Sequence, residues 1–204
     1  MPIARKRKRY HHGDLRRALL DATLDLAAEH GAGGVTLREV ARSAGVSQTA
    51  PYRHFPDKDA MLAAAAEEGF RLYHDELEAA LSATRSDPKA RLVELGVTYV
   101  RFAIEHTPYF RLMYGHGSPP KSASPELQAA ARVAFQAGLA VVEQALAHAS
   151  SKASVKDVMF RMWALIHGIA TLALDRQILF DINIDALLRA TRAAVADLFA
   201  SVVH

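Results

Sequence analysis

The chain has 204 residues, with 25 Lys or Arg, 22 Asp or Glu and no Cys. Without Cys it has neither a disulfide framework nor a thiolate metal site. No apolar run approaches the roughly 18 residues of a transmembrane helix, and no apolar h-region follows the basic N-terminus. We therefore expect a cytoplasmic protein with no membrane partner. Abundant Ala and the lack of an alternating apolar pattern predict an all-α fold.

A basic run at residues 5–9 (RKRKR) dominates the charge distribution. Residues 1–58 contain 11 Lys or Arg and 6 Asp or Glu, whereas the rest of the chain contains 14 and 16. A positive segment on a near-neutral body is typical of nucleic-acid binding. We predict a flexible basic arm over residues 1–9 that contacts phosphates or enters the minor groove. A tail that only aids solubility is the alternative.

A helix-turn-helix pattern follows the first predicted helix. Thr36 and Glu39 form a T-x-x-E capping box, which predicts a helix that starts just after Thr36. Gly45 can supply the left-handed residue that ends this helix. Ser47 is a suitable N-cap for another helix, through about His54. Two helices joined by a short turn with Gly form the DNA-binding helix-turn-helix, whose second helix enters the major groove.

The other helices are predicted from capping residues, prolines and apolar spacing. Their expected ranges are 14–31 before the helix-turn-helix, and 58–80, 89–106, 109–114, 125–149, 153–180 and 183–203 after it. Asp14 is the expected N-cap of the first helix and Asp57 that of the helix from residue 58. Gly, Pro and Ser mark residues 115–124 as the one clear loop.

The segment that begins YHHGDLRRALLDATLDLAAEHG at Tyr10, followed by TLREVARSAGVS and PYRHFPDKDAML, resembles the DNA-binding domain of the TetR family of bacterial repressors. Tyr52, Phe55 and Lys58 match the Tyr, Phe and Lys of that family's recognition segment. Pro51 is a departure, because many members carry a larger apolar residue there.

In the second half of the chain, Trp163-x-x-x-His167-Gly168 is similar to the WHG motif in the C-terminal domain of one TetR subgroup. The resemblance implies a three-helix helix-turn-helix DNA-binding domain over residues 10–58, with a linking helix to about residue 80. It also implies a C-terminal helical bundle over residues 81–204 that binds a ligand and forms the dimer.

Candidate DNA-contacting residues come from the helix-turn-helix and from the resemblance. They are Thr36, Arg38, Ser47, Gln48, Thr49, Ala50, Tyr52, His54 and Lys58. Gln48 can pair with adenine, and the methyl groups of Thr49 and Ala50 can contact the thymine methyl, which favours A·T character in the site. By resemblance Tyr52 and Lys58 contact phosphates, whereas Phe55 is expected in the core.

Candidate pocket residues are Met, His and aromatic side chains of the second half. They are Phe102, His106, Phe110, Met113, Trp163 and His167, with Tyr99, Phe135 and Met159 as further pocket-wall candidates. The same stripe is also compatible with a plain core. We expect His167 to be hydrogen-bonded rather than a metal ligand, because the His residues show no i, i+4 pair and Cys partners are lacking. No cofactor and no metal site are predicted.

The two last predicted helices each carry an apolar face, which favours a homodimer. A charge at Val195 or Leu198 is then expected to abolish both dimerisation and DNA binding.

The predicted function is transcriptional regulation by a repressor that an unidentified small molecule releases from a palindromic double-stranded DNA operator. The alternative is a small-molecule binding protein of the same fold without specific DNA function. An enzyme is disfavoured, because no converging catalytic groups are evident.

Overall fold

The structure, a computed structural model, describes residues 15–84, 87–178 and 180–203. Within these residues the chain forms eight α-helices, two short 3₁₀ helices and no β-strand, which confirms the all-α fold class. The α-helices are α1 (Leu15–Gly34), α2 (Leu37–Ala44), α3 (Lys58–Ser82), α4 (Pro88–Glu105), α5 (Thr107–Tyr114), α6 (Pro125–His148), α7 (Val155–Leu174) and α8 (Ile184–Val203). The predicted basic arm and the Asp14 cap lie outside the described residues.

Local capping residues set several helix boundaries. Thr36 begins α2 by accepting a hydrogen bond from the Glu39 N–H at 3.2 Å. Asp57 begins α3 by accepting one from the Ala60 N–H at 2.8 Å. α2 ends where Gly45 takes φ 70° and ψ 30°, a left-handed conformation that disfavours residues with a Cβ. These three boundaries lie where the sequence predicts them.

α1 is interrupted at Gly31, which adopts a non-helical φ of 69° and ψ of 169°, so its regular turns end where the sequence predicts and a short helical segment follows. α7 departs from its predicted end. α7 ends at Leu174 rather than near Phe180, because Arg176 adopts φ 54° and the following N–H donates to the Leu172 carbonyl at 2.9 Å. This is a Schellman termination, which usually places Gly at the left-handed position. Because Arg176 occupies the left-handed position, the sequence has no Gly that would predict the end of α7.

α3 and α5 connect the two parts of the fold. α3 packs against α1 of the N-terminal part and against α4, α5 and α6 of the C-terminal part. α5 also packs directly against α1, and α4 lies between α3, α6, α7 and α8. One contiguous cluster of buried apolar side chains runs through both parts. Movement of α5 can therefore reach the N-terminal helices through direct packing as well as through α3.

Val195 of α8 lies in the core of the subunit and not on a free face. It is 0% exposed, and a Cβ placed on Gly96 of α4 would lie only 2.7 Å from Val195 Cγ2. The expectation that a charge at Val195 would act on a dimer interface is therefore wrong, because that charge would break the packing of α8 on α4. Leu198 is half-buried on the same helix.

α7 is apolar along much of its length. Its most apolar stretch has a mean hydropathy of 1.3 and is only 28% buried, so by length and composition this helix could cross a membrane, contrary to the expectation from the sequence. Length and composition are weak criteria, because core helices of soluble proteins meet them as well. α7 packs against α4, α6 and α8. Its remaining apolar surface is of the kind that marks a protein interface.

The left-handed end of α2 generates a prediction about stability. Gly45→Ala should lower the free energy of unfolding by about 1–2 kcal/mol, because Ala has a Cβ that disfavours positive φ. Urea unfolding of the purified protein measures this change. Gly33→Ala is the matched control, because a Cβ at Gly33 meets no atom within 4 Å and should change stability by less than about 0.5 kcal/mol. Equal effects of the two substitutions would contradict the proposed role of Gly45.

Candidate DNA-binding surface and ligand pocket

The segment between α2 and α3 is a succession of turns rather than the predicted α-helix from Ser47 to His54. The Ala50 N–H donates to the Ser47 carbonyl at 3.0 Å, and a 3₁₀ helix follows over Pro51–Arg53. Pro51 has no N–H, so the α-helical hydrogen bond to the Ser47 carbonyl cannot form. The prediction of a regular recognition helix is wrong for this reason, and Ser47 caps no α-helix.

The turns nevertheless direct most of the predicted DNA-contacting side chains outward. The predicted residues of this segment that are exposed are Ser47, Gln48, Thr49, Tyr52 and His54, and Arg53 between the last two is exposed as well. Ala50 is only 9% exposed, so its methyl group cannot meet a thymine and the prediction for Ala50 is wrong. Phe55 is buried, as predicted, and the Arg16 guanidinium lies 5.4 Å from the centre of its ring.

Thr36 and Lys58, predicted to contact phosphates, already have partners within the protein. The Lys58 Nζ donates to the Gly33 carbonyl at 2.9 Å, which ties the first turn of α3 to the end of α1. The Thr36 hydroxyl donates to the Glu39 carboxylate at 2.8 Å while it caps α2. The ammonium group has two further N–H bonds, so Lys58 can reach a phosphate without leaving Gly33. Arg38 is exposed on the same side of α2 as Arg42.

A cavity of about 200 Å³ lies among α3, α4, α6 and α7. Of the six predicted pocket residues only Trp163 lines it, together with Tyr99, Phe135 and Met159 from the wider set of pocket-wall candidates. The rest of the wall is almost entirely apolar or aromatic. Trp163 and Phe135 remain partly exposed, so the cavity opens to solvent between α6 and α7.

A second cavity, of about 260 Å³, lies between the end of α1, α5 and α7. Phe110 and His167 line this cavity, and Tyr114 lines both cavities. The structure therefore divides three of the predicted pocket residues between two neighbouring spaces that share the Tyr114 side chain.

The other three predicted pocket residues line neither cavity. Phe102 and Met113 are buried in the core, and His106 Nε2 lies 2.8 Å from Glu76 Oε1 of α3. Met113 packs on the backbone of Gly69, where a Cβ would lie 2.8 Å from the Met113 Sδ. These side chains pack α4 and α5 against α3. Their residue types predicted a pocket wall, but they form contacts between helices instead.

Trp163, Tyr99 and His167 form a hydrogen-bonded chain beside the first cavity. The Trp163 Nε1–H donates to the Tyr99 hydroxyl at 3.3 Å. The Tyr99 hydroxyl in turn lies 2.8 Å from His167 Nδ1, within hydrogen-bond distance. Burial raises the pKa of Tyr99 well above its ordinary value, which keeps the phenol protonated. Burial also lowers the pKa of His167, which favours the neutral imidazole.

No metal centre is evident in the part of the chain that the structure describes. No group of three or more His, Cys, Asp or Glu side chains there could hold a metal ion. The polar groups of the first cavity are phenols, an indole N–H and one lysine, which suit hydrogen bonding to an organic ligand.

A polar cluster joins α1, α3 and α5. The Tyr109 hydroxyl of α5 donates to Glu68 Oε1 of α3 at 2.6 Å. Arg17 of α1 donates to the same carboxylate, and its Nη2 lies 3.4 Å from the Tyr109 hydroxyl. Phe110, the next residue on α5, lines the second cavity. A shift of α5 at either cavity would therefore also change the contacts of α1.

Two protein-family models match this chain. The model described as bacterial regulatory proteins, tetR family, matches residues 19–65. The model described as tetracyclin repressor-like, C-terminal domain, matches residues 92–195, which is half of the chain.

The chain belongs to the TetR family.

Similar proteins agree with this membership. A structure of a protein with unknown function from Rhodococcus sp. RHA1 is 33% identical, covers 97% of this chain and 100% of its own, and has a TM-score of 0.79. An uncharacterized HTH-type transcriptional regulator from Haemophilus influenzae is 34% identical over 105 residues, and the match spans 50% of this chain and 50% of that protein's length. The transcriptional regulator FadR from Bacillus subtilis, in complex with stearoyl-CoA, has a TM-score of 0.66 at 16% identity, covering 92% and 99% of the two chains. That last likeness concerns the fold alone.

Sequence inspection missed most of the wall of the first cavity in this TetR-family chain, including three aromatic residues and one lysine. Phe70 and Tyr73 lie on α3, whose apolar spacing suggested only a linking helix with a packed face. Tyr114 ends α5, and Lys121 lies in the segment predicted as a plain loop. The single cation in the loop sequence GHGSPPKSAS was the one available sign of Lys121.

The half-buried imidazole of His167 generates a prediction about pH dependence. Because its folded-state pKa lies below the unfolded value, the unfolded chain binds the proton first, and stability falls as pH drops below about 6.5. His167→Asn keeps a side chain that can hydrogen-bond to Tyr99 but does not titrate. The variant should therefore lose less unfolding free energy than the wild type between about pH 7 and pH 5.5. His116→Asn, at an exposed position, is the control for removing one histidine, and identical pH profiles for wild type and His167→Asn would contradict the assignment.

Proposed function

We propose that this TetR-family protein is a sequence-specific transcriptional regulator that binds a palindromic operator as a homodimer and is released from it by a small molecule. The observation that carries the proposal is the exposed segment after α2, which presents Gln48, Thr49 and Tyr52 between two capped helices. A surface of short polar side chains and a phenol can meet base edges and phosphates. Selection of bound sequences from random duplex DNA tests the proposal directly.

An exposed apolar face of α7 supports the homodimer. Phe160, Ala164, Gly168 and Leu172 recur every four residues, and therefore lie along one side of the helix. Phe160 is 67% exposed and Leu172 is 50% exposed, whereas Met162 and Ile166 on the opposite side are buried. A second copy would cover this face, and a two-fold dimer would present two DNA-binding segments to two half-sites.

The position of α5 supports release by a ligand. Its Phe110 and Tyr114 side chains line the cavities, and its Tyr109 is bonded to the Glu68 carboxylate that also holds Arg17 of α1. A ligand that fits only one position of α5 would favour one position of α1, and hence one spacing of the two DNA-binding segments. Such a ligand shifts the equilibrium by its difference in affinity for the two arrangements.

The second candidate is a small-molecule binding protein of the same fold without specific DNA function. The observation that favours it is the loss of the regular recognition helix at Pro51. The selection experiment separates the two, because a binding protein of this kind would enrich no sequence. We propose a non-catalytic role in the cytoplasm under both hypotheses.

The DNA-binding segment generates a prediction about specificity. Gln48→Ala should change the selected base at one position of each half-site and cost about 1–3 kcal/mol there, because a side chain that contacts a base edge carries sequence information. Tyr52→Phe should weaken binding to all sequences by about 0.5–1.5 kcal/mol, because a lost phosphate hydrogen bond carries none. Gel-shift titration on the selected operator and its single-base variants measures both effects.

The control for this experiment is Gln128→Ala on α6, which also removes an exposed glutamine but lies far along the chain from the segment. It should leave affinity and preferred sequence unchanged. An unchanged consensus for Gln48→Ala would show that base contacts come from other residues.

The exposed face of α7 generates a prediction about assembly. Leu172→Glu should give a folded monomer that no longer holds the operator, since a charge buried in an apolar interface is left without a partner. Sedimentation velocity and operator titration measure the two effects. Val133→Glu on α6 is the matched control, because Val133 is a similar apolar side chain with 46% exposure on another helix. A Leu172→Glu protein that remains dimeric would place the interface elsewhere.

A further inference from the structure

Lys121 is the only charged residue that lines the first cavity. It follows α5 in the chain, in the 3₁₀ helix Lys121–Ala123, and its Nζ donates to the Met113 carbonyl near the end of α5. The same Nζ lies 5.5 Å from the centre of the Phe70 ring and 5.3 Å from that of Tyr114. The ammonium group is therefore held at the wall of an otherwise apolar and aromatic space.

Within the described residues, the charge of this ammonium group has no anionic partner. No described carboxylate forms an ion pair with Lys121, and burial lowers the pKa of its side chain. A carbonyl and two ring faces stabilise a cation only partly, and a desolvated charge without a counter-charge is costly. An anion placed in the cavity would remove that cost.

The remaining wall limits the kind of anion. Leu95, Ala134, Gly138 and Met159 contribute apolar surface, and the partly exposed Trp163 marks the opening of the cavity. The volume of about 200 Å³ is below the roughly 300–1,000 Å³ of pockets for drug-sized ligands. One lysine, with no arginine beside it in the wall, suits a single negative charge better than a dianion such as a phosphate ester.

We propose that the effector is a small amphipathic monoanion, whose carboxylate binds the Lys121 ammonium group while its aliphatic or aromatic body fills the cavity among α3, α4, α6 and α7. This inference depends on the proposed function for the view that the cavity is an effector site. The ammonium group has three N–H bonds, so it can hold the ligand and the Met113 carbonyl together. A bound carboxylate is thereby linked to the end of α5, the helix that is also bonded to α3 and contacts α1 through Tyr109.

The experiment compares carboxylates with their neutral amides on the full-length protein. The probes are octanoate and 4-phenylbutyrate, each paired with its primary amide, and titration calorimetry measures the dissociation constants at one ionic strength. At least one carboxylate should bind about tenfold or more tightly than its amide, as expected for a charge-assisted hydrogen bond of about 1.5 kcal/mol or more.

Four variants separate charge from shape. Lys121→Met keeps an apolar stem and should weaken carboxylate binding about tenfold while leaving amide binding unchanged. Lys121→Arg keeps the charge and should preserve the preference for carboxylate. Lys152→Met removes an exposed lysine that lines neither cavity described above and should bind like the wild type. Ala134→Leu fills the cavity and should abolish binding of both members of each pair, with thermal unfolding confirming that each variant is folded.

Equal affinity for acid and amide, a carboxylate preference that persists in Lys121→Met, or no binding of any of the four probes would overturn the proposal. Operator titration in the presence of each probe distinguishes this failure from failure of the proposed function. If carboxylates bind through Lys121 but leave DNA affinity unchanged, the chemical class of the ligand is correct and release of the operator by that ligand is wrong. If acid and amide release the operator equally, the protein is a ligand-released repressor, but Lys121 does not select the effector by its charge.

Discussion

The contact between Gly69 of α3 and Met113 of α5 fixes the relation between the two functional parts of this molecule. A Cβ at position 69 would lie 2.8 Å from the Met113 Sδ and 3.2 Å from the Tyr109 Cβ, so glycine lets α5 approach α3 this closely without displacing either side chain. Once α5 is seated, Tyr109 reaches the Glu68 carboxylate and Tyr114 forms the wall shared by the two cavities. The polar cluster at α1 and the shape of both cavities therefore have a common origin in the packing of one short helix.

The conformation of the DNA-binding segment is set by the two helices that flank it and not by a regular helix within it. Gly45 ends α2 with a left-handed residue, and Asp57 starts α3 with a side-chain cap. Between them Pro51 removes one backbone donor, and the chain closes turns with shorter hydrogen-bonded rings. Pro51 in the middle of the segment and Phe55 near its end are buried, so the exposed side chains lie on a short stretch that is fixed at several points.

The boundaries that follow from contiguous residues could be predicted from the sequence. Thr36, Gly45 and Asp57 act within three or four residues of their own position, and each lies where the pattern places it. The turn at Arg176 was missed because its left-handed residue is not Gly. The irregular form of the recognition segment was missed because the cost of Pro51 depends on which backbone carbonyl would have accepted the hydrogen bond that Pro51 cannot donate.

The pocket could be predicted only in part, because periodicity shows that a side chain faces inward but not what it meets there. Met113 and Phe102 share the apolar spacing of a pocket wall, yet they are packed against neighbouring helices. Lys121 belongs to a polar loop by composition, and only the folding of that loop over the end of α5 brings its ammonium group to the rings of Phe70 and Tyr114. Contacts between residues this distant in the chain leave no local pattern.

Trp163 is an intrinsic fluorescent probe of the first cavity. It is the only tryptophan in the chain, and it lies at the opening of the cavity with its indole N–H bonded to Tyr99. Because no other indole contributes, the tryptophan emission of the whole protein originates at this one wall. A change in the polarity or hydration of the cavity is thus expressed in a single spectroscopic signal, without any added dye and without averaging over distant sites.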